Sequence, residues 1–294
     1  MIRSTLAAAG VALVLSSPLA AQQSGRDETT FTWSKQLTAG SQVSIRNLNG
    51  PITVRESTDG RVEVRATKVP ESRGSVRNVA FDVRETNGGV EICTVSDTDA
   101  SCRDRNVSSR NVRVRVDYTV LIPASMSVSI GTGNGDVSIA RAGADVSAST
   151  GNGRVSIGET TGRVDASTGN GDVRVDSANG PVRVTTGNGR VSVTTGTGDV
   201  NANSGSGEID VRMGSLSNAH NMTFNSGSGP IRVTLPADFN GQVDASTGSG
   251  SLRSDFAISV VGRLDAQHVR GTIGKGGPLL RLNTGSGMIE LLKN

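Results

Sequence analysis

Three sets of residues in this 294-residue chain have types and spacings that invite chemistry: glycine-rich runs, recurring aspartates and two cysteines. The run Gly131-Thr132-Gly133-Asn134-Gly135-Asp136 has the look of a phosphate cradle. A dinucleotide fingerprint, however, needs its third glycine where Asp136 stands, and a helix must follow to present its amides. Gly271 to Lys275 has the wrong spacing for a nucleotide P-loop, and no Ser or Thr follows Lys275. The same glycines recur along the chain, so they read as corners of the backbone. Calcium is the closer rival, because nonapeptide β-rolls that bind it share a nine-residue period with this chain. Here Thr or Ser replaces the first glycine of that pattern. Arg154, Arg163, Arg190 and Pro181 fill positions in alternate units where oxygen ligands are needed.

Asp165, Asp176, Asp199 and Asp210 form a row that a polysaccharide-cleaving β-helix would use, but outward charges on a strand are the ordinary solvated face. One Trp, one Tyr and five Phe leave little for sugar stacking or base stacking. No Gly-x-Ser-x-Gly elbow occurs, and His220 and His268 stand isolated in the sequence. The expectation is a protein without catalytic residues, cofactor or resident metal. Cys93 and Cys102, nine positions apart in a polar segment, read as a local disulfide rather than a metal site. Closing so short a loop is worth about 2–3 kcal/mol.

The address of the chain is read from its first 21 residues. Arg3 is a basic start, Leu6 to Leu15 an apolar core, and Leu19-Ala20-Ala21 offers a cleavage site before Gln22. That is a secretory signal, so the protein is expected in the periplasm, at the cell surface or outside the cell. No later stretch is long and apolar enough to span a bilayer. The formal net charge of +3, without a basic block, argues against a nucleic-acid partner.

The elements that hold these residues follow a nine-residue repeat. Gly135, Gly153, Gly171, Gly189 and Gly207 mark its corners at spacings of 18, with Ala144, Gly162, Gly180 and Gly198 halfway between them. Each unit reads corner, polar residue, Val or Ile, polar residue, Val, Ile or Ala, which is the alternation of a strand with one buried face. The aligned glycines are expected to supply the positive φ of a tight corner. Units this short cannot bury their own apolar face, so they must stack.

Two strands per coil fit better than three. At a spacing of 18, Ile139, Ile157, Val175, Val193 and Val211 form one bulky column, while Ala148, Ala166, Val184 and Ala202 form a smaller one opposite. A thin core fills its volume in that way. The residue after the corner then alternates in sign along the stack, as Asp136, Arg154, Asp172, Arg190 and Glu208. Coils of 27 would set like charges side by side. Thr132, Thr150, Thr168, Thr186 and Ser204, with Asn134, Asn152, Asn170, Asn188 and Ser206, form polar columns. Each is expected to hydrogen-bond its equivalent one strand away.

The pattern loosens at both ends. The prediction is a single-chain, all-β parallel β-solenoid with coils of about 18 residues. Residues 1–21 are the signal, 22–125 an irregular N-terminal part with a cap and the Cys93/Cys102 loop, and 126–294 the regular solenoid with a C-terminal cap. Residues 28–48 and the segment Leu279 to Lys293 are the candidate caps.

The unit T/S-G-N/S-G-D-V-x-V, the lead-in Ser44 to Val54 and the strand Tyr118-Thr119-Val120-Leu121-Ile122-Pro123 are similar to the bacterial putative-adhesin family. The likeness runs from about Val43 to Leu292. It implies a β-solenoid at the cell envelope and brings no catalytic residues with it. The functional expectation is a non-enzymatic interaction or scaffold protein with a surface protein or glycan as ligand, and self-association through an uncapped end as a further route. The alternative is a polysaccharide-active or calcium-binding β-helix protein.

Overall fold

The computed structural model describes residues 22–24, 26–72, 74–96, 102, 113–196, 199–216, 220–260 and 267–294. The proposed signal, residues 1–21, and the halfway corner Gly198 lie outside these. Among the described residues the chain forms a sheet of 14 strands packed against a sheet of 12.

The regular middle is a two-strand parallel solenoid. Strands of the larger sheet alternate with strands of the smaller one. In chain order the first pairs are β9 (Ser127–Asn134) with β10 (Val137–Ala142), β11 (Val146–Asn152) with β12 (Val155–Thr160), and β13 (Val164–Asn170) with β14 (Val173–Ala178). They continue as β15 (Val182–Asn188) with β16 (Val191–Thr195), β17 (Val200–Ser206) with β18 (Ile209–Met213), and β19 (Met222–Ser228) with β20 (Ile231–Leu235). Val137 pairs with Val155, Val155 with Val173, and Val173 with Val191, which is the 18-residue coil. Ala148 pairs with Ala166 and Ile139 with Ile157, so the small and bulky columns face each other across the core. These side chains are fully buried in one continuous cluster that runs from Phe31 to Leu291. Burying each Val or Ile contributes about 1.5–3 kcal/mol, which makes these columns the main source of stability.

Both ends depart from simple stacking. β3 (Gln42–Asn49) and β4 (Ile52–Glu56) form the coil next to β9 and β10. The chain then runs outward through β5 (Val62–Pro70), a short 3₁₀ turn (Val76–Asn78) and β6 (Ala80–Thr86). It returns through β7 (Gly89–Val95) and β8 (Val114–Ile122), which add a parallel coil outside β3 and β4. β5 and β6 pair antiparallel with that coil, and β1 (Gln22–Ser24) and β2 (Thr30–Lys35) form the outermost edges. Of the predicted cap 28–48, therefore, only the β2 part is a cap; β3 is an inner coil.

The C-terminal end mirrors this. β21 (Gly241–Ser249) and β22 (Leu252–Ser254) leave a gap of one coil after β19 and β20. β24 (His268–Ile273) turns back antiparallel against β21, and β23 (Ile258–Ser259) pairs antiparallel with β24 at the edge. β25 (Leu279–Ser286) and β26 (Ile289–Lys293) then fill the gap, in parallel with both neighbours. The segment Leu279 to Lys293 is thus a buried coil and not the cap that its position in the sequence implies. The reason is energetic: Leu280, Leu282, Ile289 and Leu291 each bury fully between two coils, which the end of a stack would not allow.

Candidate functional site

The corners of the middle coils show what the polar columns do. Gly135, Gly153, Gly171, Gly189 and Gly207 have φ between +136° and +152°. A Cβ on Gly153 would also lie 2.2 Å from the Gly135 carbonyl oxygen, so neither conformation nor space admits a side chain. The halfway corners at Gly162 and Gly180 are different and do not have the expected positive φ. Glycine is needed there for close approach: a Cβ on Gly162 would sit 2.4 Å from the carbonyl carbon of Ala144.

The asparagine column forms as expected, with Asn152, Asn170 and Asn188 each donating from Nδ2 to Oδ1 of the Asn one coil before, at 2.8 Å. The threonine column does not form a ladder. Thr150, Thr168 and Thr186 are buried, and each hydroxyl donates at 2.9 Å to the corner carbonyl of Gly135, Gly153 or Gly171 in the coil before. That carbonyl faces inward at the turn and lacks a strand partner, so the side chain meets a need a neighbouring Thr would not. The acids after the corner are similarly engaged. Asp136, Asp145 and Asp172 accept the backbone N–H of Arg154, Arg163 and Arg190 at 2.8–2.9 Å. Arg190 and Glu208, neighbours in the same column, pair at 2.7 Å. The buried Thr hydroxyls and the corner acids of the middle coils are thus engaged within the chain itself.

The conceivable catalytic aspartates are not brought together. Asp165 lies on β13 in the larger sheet, whereas Asp176 and Asp210 lie on β14 and β18 in the smaller one, and Asp199 sits at a corner beside His220. Among the described residues, one group of three metal-capable donors lies within 4.8 Å of one another: Glu91, Cys93 and Cys102. Its two sulfurs are joined to each other as a disulfide.

Unspent chemistry gathers at the ends. At the N-terminal end, Thr94 donates to Asn47 Oδ1 at 3.0 Å and lies 2.7 Å from the Tyr118 hydroxyl, all three being buried. Burial pushes the Tyr118 phenol well above its ordinary range. Lys68 is buried and donates to the carbonyls of Arg26, Val76 and Val79 at 2.8–3.2 Å, with its ammonium over the Phe81 ring. Desolvation pulls its pKa down. On the outer face of the larger sheet, Arg46 reaches Glu91 and the Cys102 carbonyl, and the buried Asp82 accepts the Cys102 N–H at 2.7 Å. These contacts fasten the disulfide to the sheet. A shallow groove of about 470 Å³ opens on the smaller sheet, lined by Thr32, Trp33, Ser34, Glu63, Arg65, Thr119 and Leu121.

At the C-terminal end the outer face of the larger sheet carries a charged cluster centred on Asp244. Its carboxylate accepts Arg270 Nη2 at 2.8 Å, lies 3.0 Å from His268 Nε2, and has Arg281 at 3.9 Å. Chiefly the Arg270 hydrogen bond holds this carboxyl below its usual range. Beside it runs a second asparagine row: Asn225 donates to Asn203 at 2.8 Å, Asn283 to Asn225 at 3.0 Å, and Ser246 to Asn283 at 2.8 Å. A groove of about 350 Å³ lies alongside, lined by Gln242, Asp244, Ser259, Arg270, Thr272 and Leu279. The nine-residue frame misses this site, because Arg270 lies on an antiparallel strand and Arg281 on the inserted coil.

With this geometry in hand, a family model described as Toastrack DUF4097 matches residues 41–292. The chain belongs to that family. The match agrees with the resemblance read from the repeat and lead-in residues. No curated protein matches the chain. Among solved structures, a putative cell adhesion protein from Clostridium sporogenes ATCC 15579 is 13% identical, with a TM-score of 0.26, over 90% of this chain and 100% of that one. A putative adhesin from Bacteroides fragilis NCTC 9343 is 14% identical, with a TM-score of 0.34, over 90% and 97%. A putative lipid binding protein from Parabacteroides distasonis ATCC 8503 is 9% identical, with a TM-score of 0.30, over 90% and 97%. Among the described residues of this Toastrack chain, no helix is long and apolar enough to cross a membrane.

Proposed function

We propose that this Toastrack protein is a non-enzymatic, exported β-solenoid that acts at the cell envelope by binding a surface glycan or protein. One observation carries the reading: the Thr hydroxyls and corner acids of the middle coils are engaged between coils, while concave surfaces with exposed charged side chains lie at the two ends. Such a molecule is a stiff spacer with recognition surfaces at its tips. Export is supported by the signal-like residues 1–21 and by a disulfide, a bond that persists in oxidising compartments. Three of the four outermost strands, β1, β22 and β23, have only three, three and two residues, which discourages end-to-end stacking at the C-terminal end and on the larger sheet and supports a protein that works as a monomer.

The test is retention of the labelled mature chain, from Gln22 onward, on intact bacterial surfaces and on a glycan array, with and without Ca²⁺. Saturable retention independent of Ca²⁺ is the expected result. Absence of retention on every surface sinks the reading. Shortening of a bound polysaccharide transfers the protein to the enzymes, and binding that needs Ca²⁺ transfers it to the calcium-dependent β-helices.

A further inference from the structure

We propose that the outer face of the larger sheet at its C-terminal end binds an acidic polysaccharide, with Arg270 and Arg281 holding its carboxylates and the Asn203, Asn225, Asn283 row meeting its hydroxyls. This deepens the envelope-binding reading and rests on it.

Placement comes first. Arg281 pairs in register with Asp244, and Asp244 with Arg270, so one carboxylate sits between two guanidinium groups on adjacent strands. Strand spacing puts each step at about 4.8 Å. Asp244 is largely buried, and its oxygens are taken up by Arg270 and His268. It acts as a positioning residue that holds Arg270 upright. The two arginines remain open: 74% of the Arg270 side chain and 48% of the Arg281 side chain are exposed. Each guanidinium has five N–H donors in a planar fork. Arg270 gives one to Asp244 and Arg281 stands 3.9 Å off, so most of these donors face solvent and the cluster carries excess positive charge. A planar fork matches a carboxylate with two parallel hydrogen bonds.

The asparagine row supplies the second half of the argument. Each amide in the middle of the row uses one N–H and one lone pair on its neighbours, leaving an N–H and a lone pair over. A hydroxyl, donor and acceptor at once, complements that pair. Asn203, Asn225 and Asn283 are registered across adjacent strands, so the row runs along the solenoid axis and repeats at the strand spacing. A repeating linear polymer can follow it; a compact ligand would use only one step. The groove of about 350 Å³ beside Arg270 falls in the range of small-ligand sites and takes one or two sugar units.

The absence of ring side chains from the groove lining argues against nucleic acid, which needs stacking platforms. The same absence argues against a neutral glycan, since nothing stacks on the apolar faces of its rings. Charge must therefore contribute to affinity, and the sugar must be acidic.

The experiment is calorimetric titration of the mature chain with polygalacturonate oligomers, with methyl-esterified oligomers of the same length, and with poly-glutamate. Binding of the free acid, about tenfold or more weaker binding of the ester, and weakening with added salt are expected. Arg270→Ala with Arg281→Ala should lose binding, Arg270→Lys with Arg281→Lys should keep part of it, and Arg212→Ala on the other sheet should keep all of it. Equal binding of the ester, poly-glutamate binding as strong as polygalacturonate binding, or no binding of the free acid overturns the proposal without any variant having to fold. Cell-surface retention is measured on the same samples. Retention without polygalacturonate binding removes this proposal alone, whereas loss of both removes the envelope-binding reading as well.

Discussion

The middle coils and the two ends solve the same problem by opposite means. In the middle, groups that the strands leave unmet are met from the neighbouring coil, as Thr168 meets the Gly153 carbonyl and Asp172 meets the Arg190 amide. Identical neighbours make identical contacts sufficient, and Val, Ala, Thr and Gly are enough. At an end no next coil exists. There the chain doubles back in antiparallel strands and brings in bulk: Phe31 stacks on Phe81 at 4.6 Å, Phe81 meets Tyr118 edge-on, and Phe239 meets Phe256 edge-on. Each aromatic group also carries a lysine over one ring, Lys68 at Phe81 and Lys293 at Phe256. Repetition yields stiffness with little individuality, and the unique contacts, including the candidate binding groups, collect where repetition stops.

This contrast can be broken at a corner. Gly153→Val meets both a φ of +150° and a backbone contact at 2.2 Å, so it should cost more than about 3 kcal/mol in urea unfolding. Gly60→Ala at the irregular end, with φ +75° and open space around it, should cost about 1 kcal/mol. Equal costs would mean that the middle coils are as adaptable as the ends. Reducing Cys93–Cys102 should lower stability by about 2–3 kcal/mol, with hydrogen exchange rising in β6 and β7 but not in β13 to β16. Uniform loosening would show that the ends and middle unfold as one unit.

A pH titration sharpens the same line. The folded chain keeps the Tyr118 proton past the ordinary value of 10.0, while the unfolded chain releases it there. Stability is therefore fully present below pH 10 and falls above it, by about 1.4 kcal/mol per pH unit until the folded value is reached. Tyr118 is the only tyrosine, so tyrosinate absorbance reports it directly, and Tyr118→Phe should remove that part of the alkaline slope. An effect as small as that of Gly60→Ala should come from Thr168→Val, which deletes one buried hydroxyl bond among many alike, at about 1 kcal/mol by thermal or urea unfolding.

What the sequence disclosed divides along the same boundary. The coil length was legible because one number sets the Val column, the size alternation and the charge order together. The partner of each Thr was not, because it is a backbone carbonyl and leaves no mark in the side-chain pattern. The segment Asn283-Thr284-Gly285-Ser286-Gly287 announces a coil as clearly as any other, yet says nothing of its place in the stack. That place is set by the Leu282 side chain fitting between Phe224 and Ala245 in neighbouring strands. The Asp244 cluster depends on that insertion and on β24 running backwards, so its members share no spacing that a repeat frame could display.

The backtracking at the C-terminal end carries a consequence for the order in which the molecule is completed. A chain that threads through a membrane from its N-terminus delivers β19 to β22 before β25 and β26 exist. Until then, β19 and β21 each present a bare edge toward a slot one strand wide in the larger sheet, and β20 and β22 do the same in the smaller one. The final coil is a keystone, and a chain stopped short of Leu279 would have two unfilled slots in place of a closed wall. Proteolysis or premature termination there should convert a self-contained protein into one whose open seam invites strands from other chains.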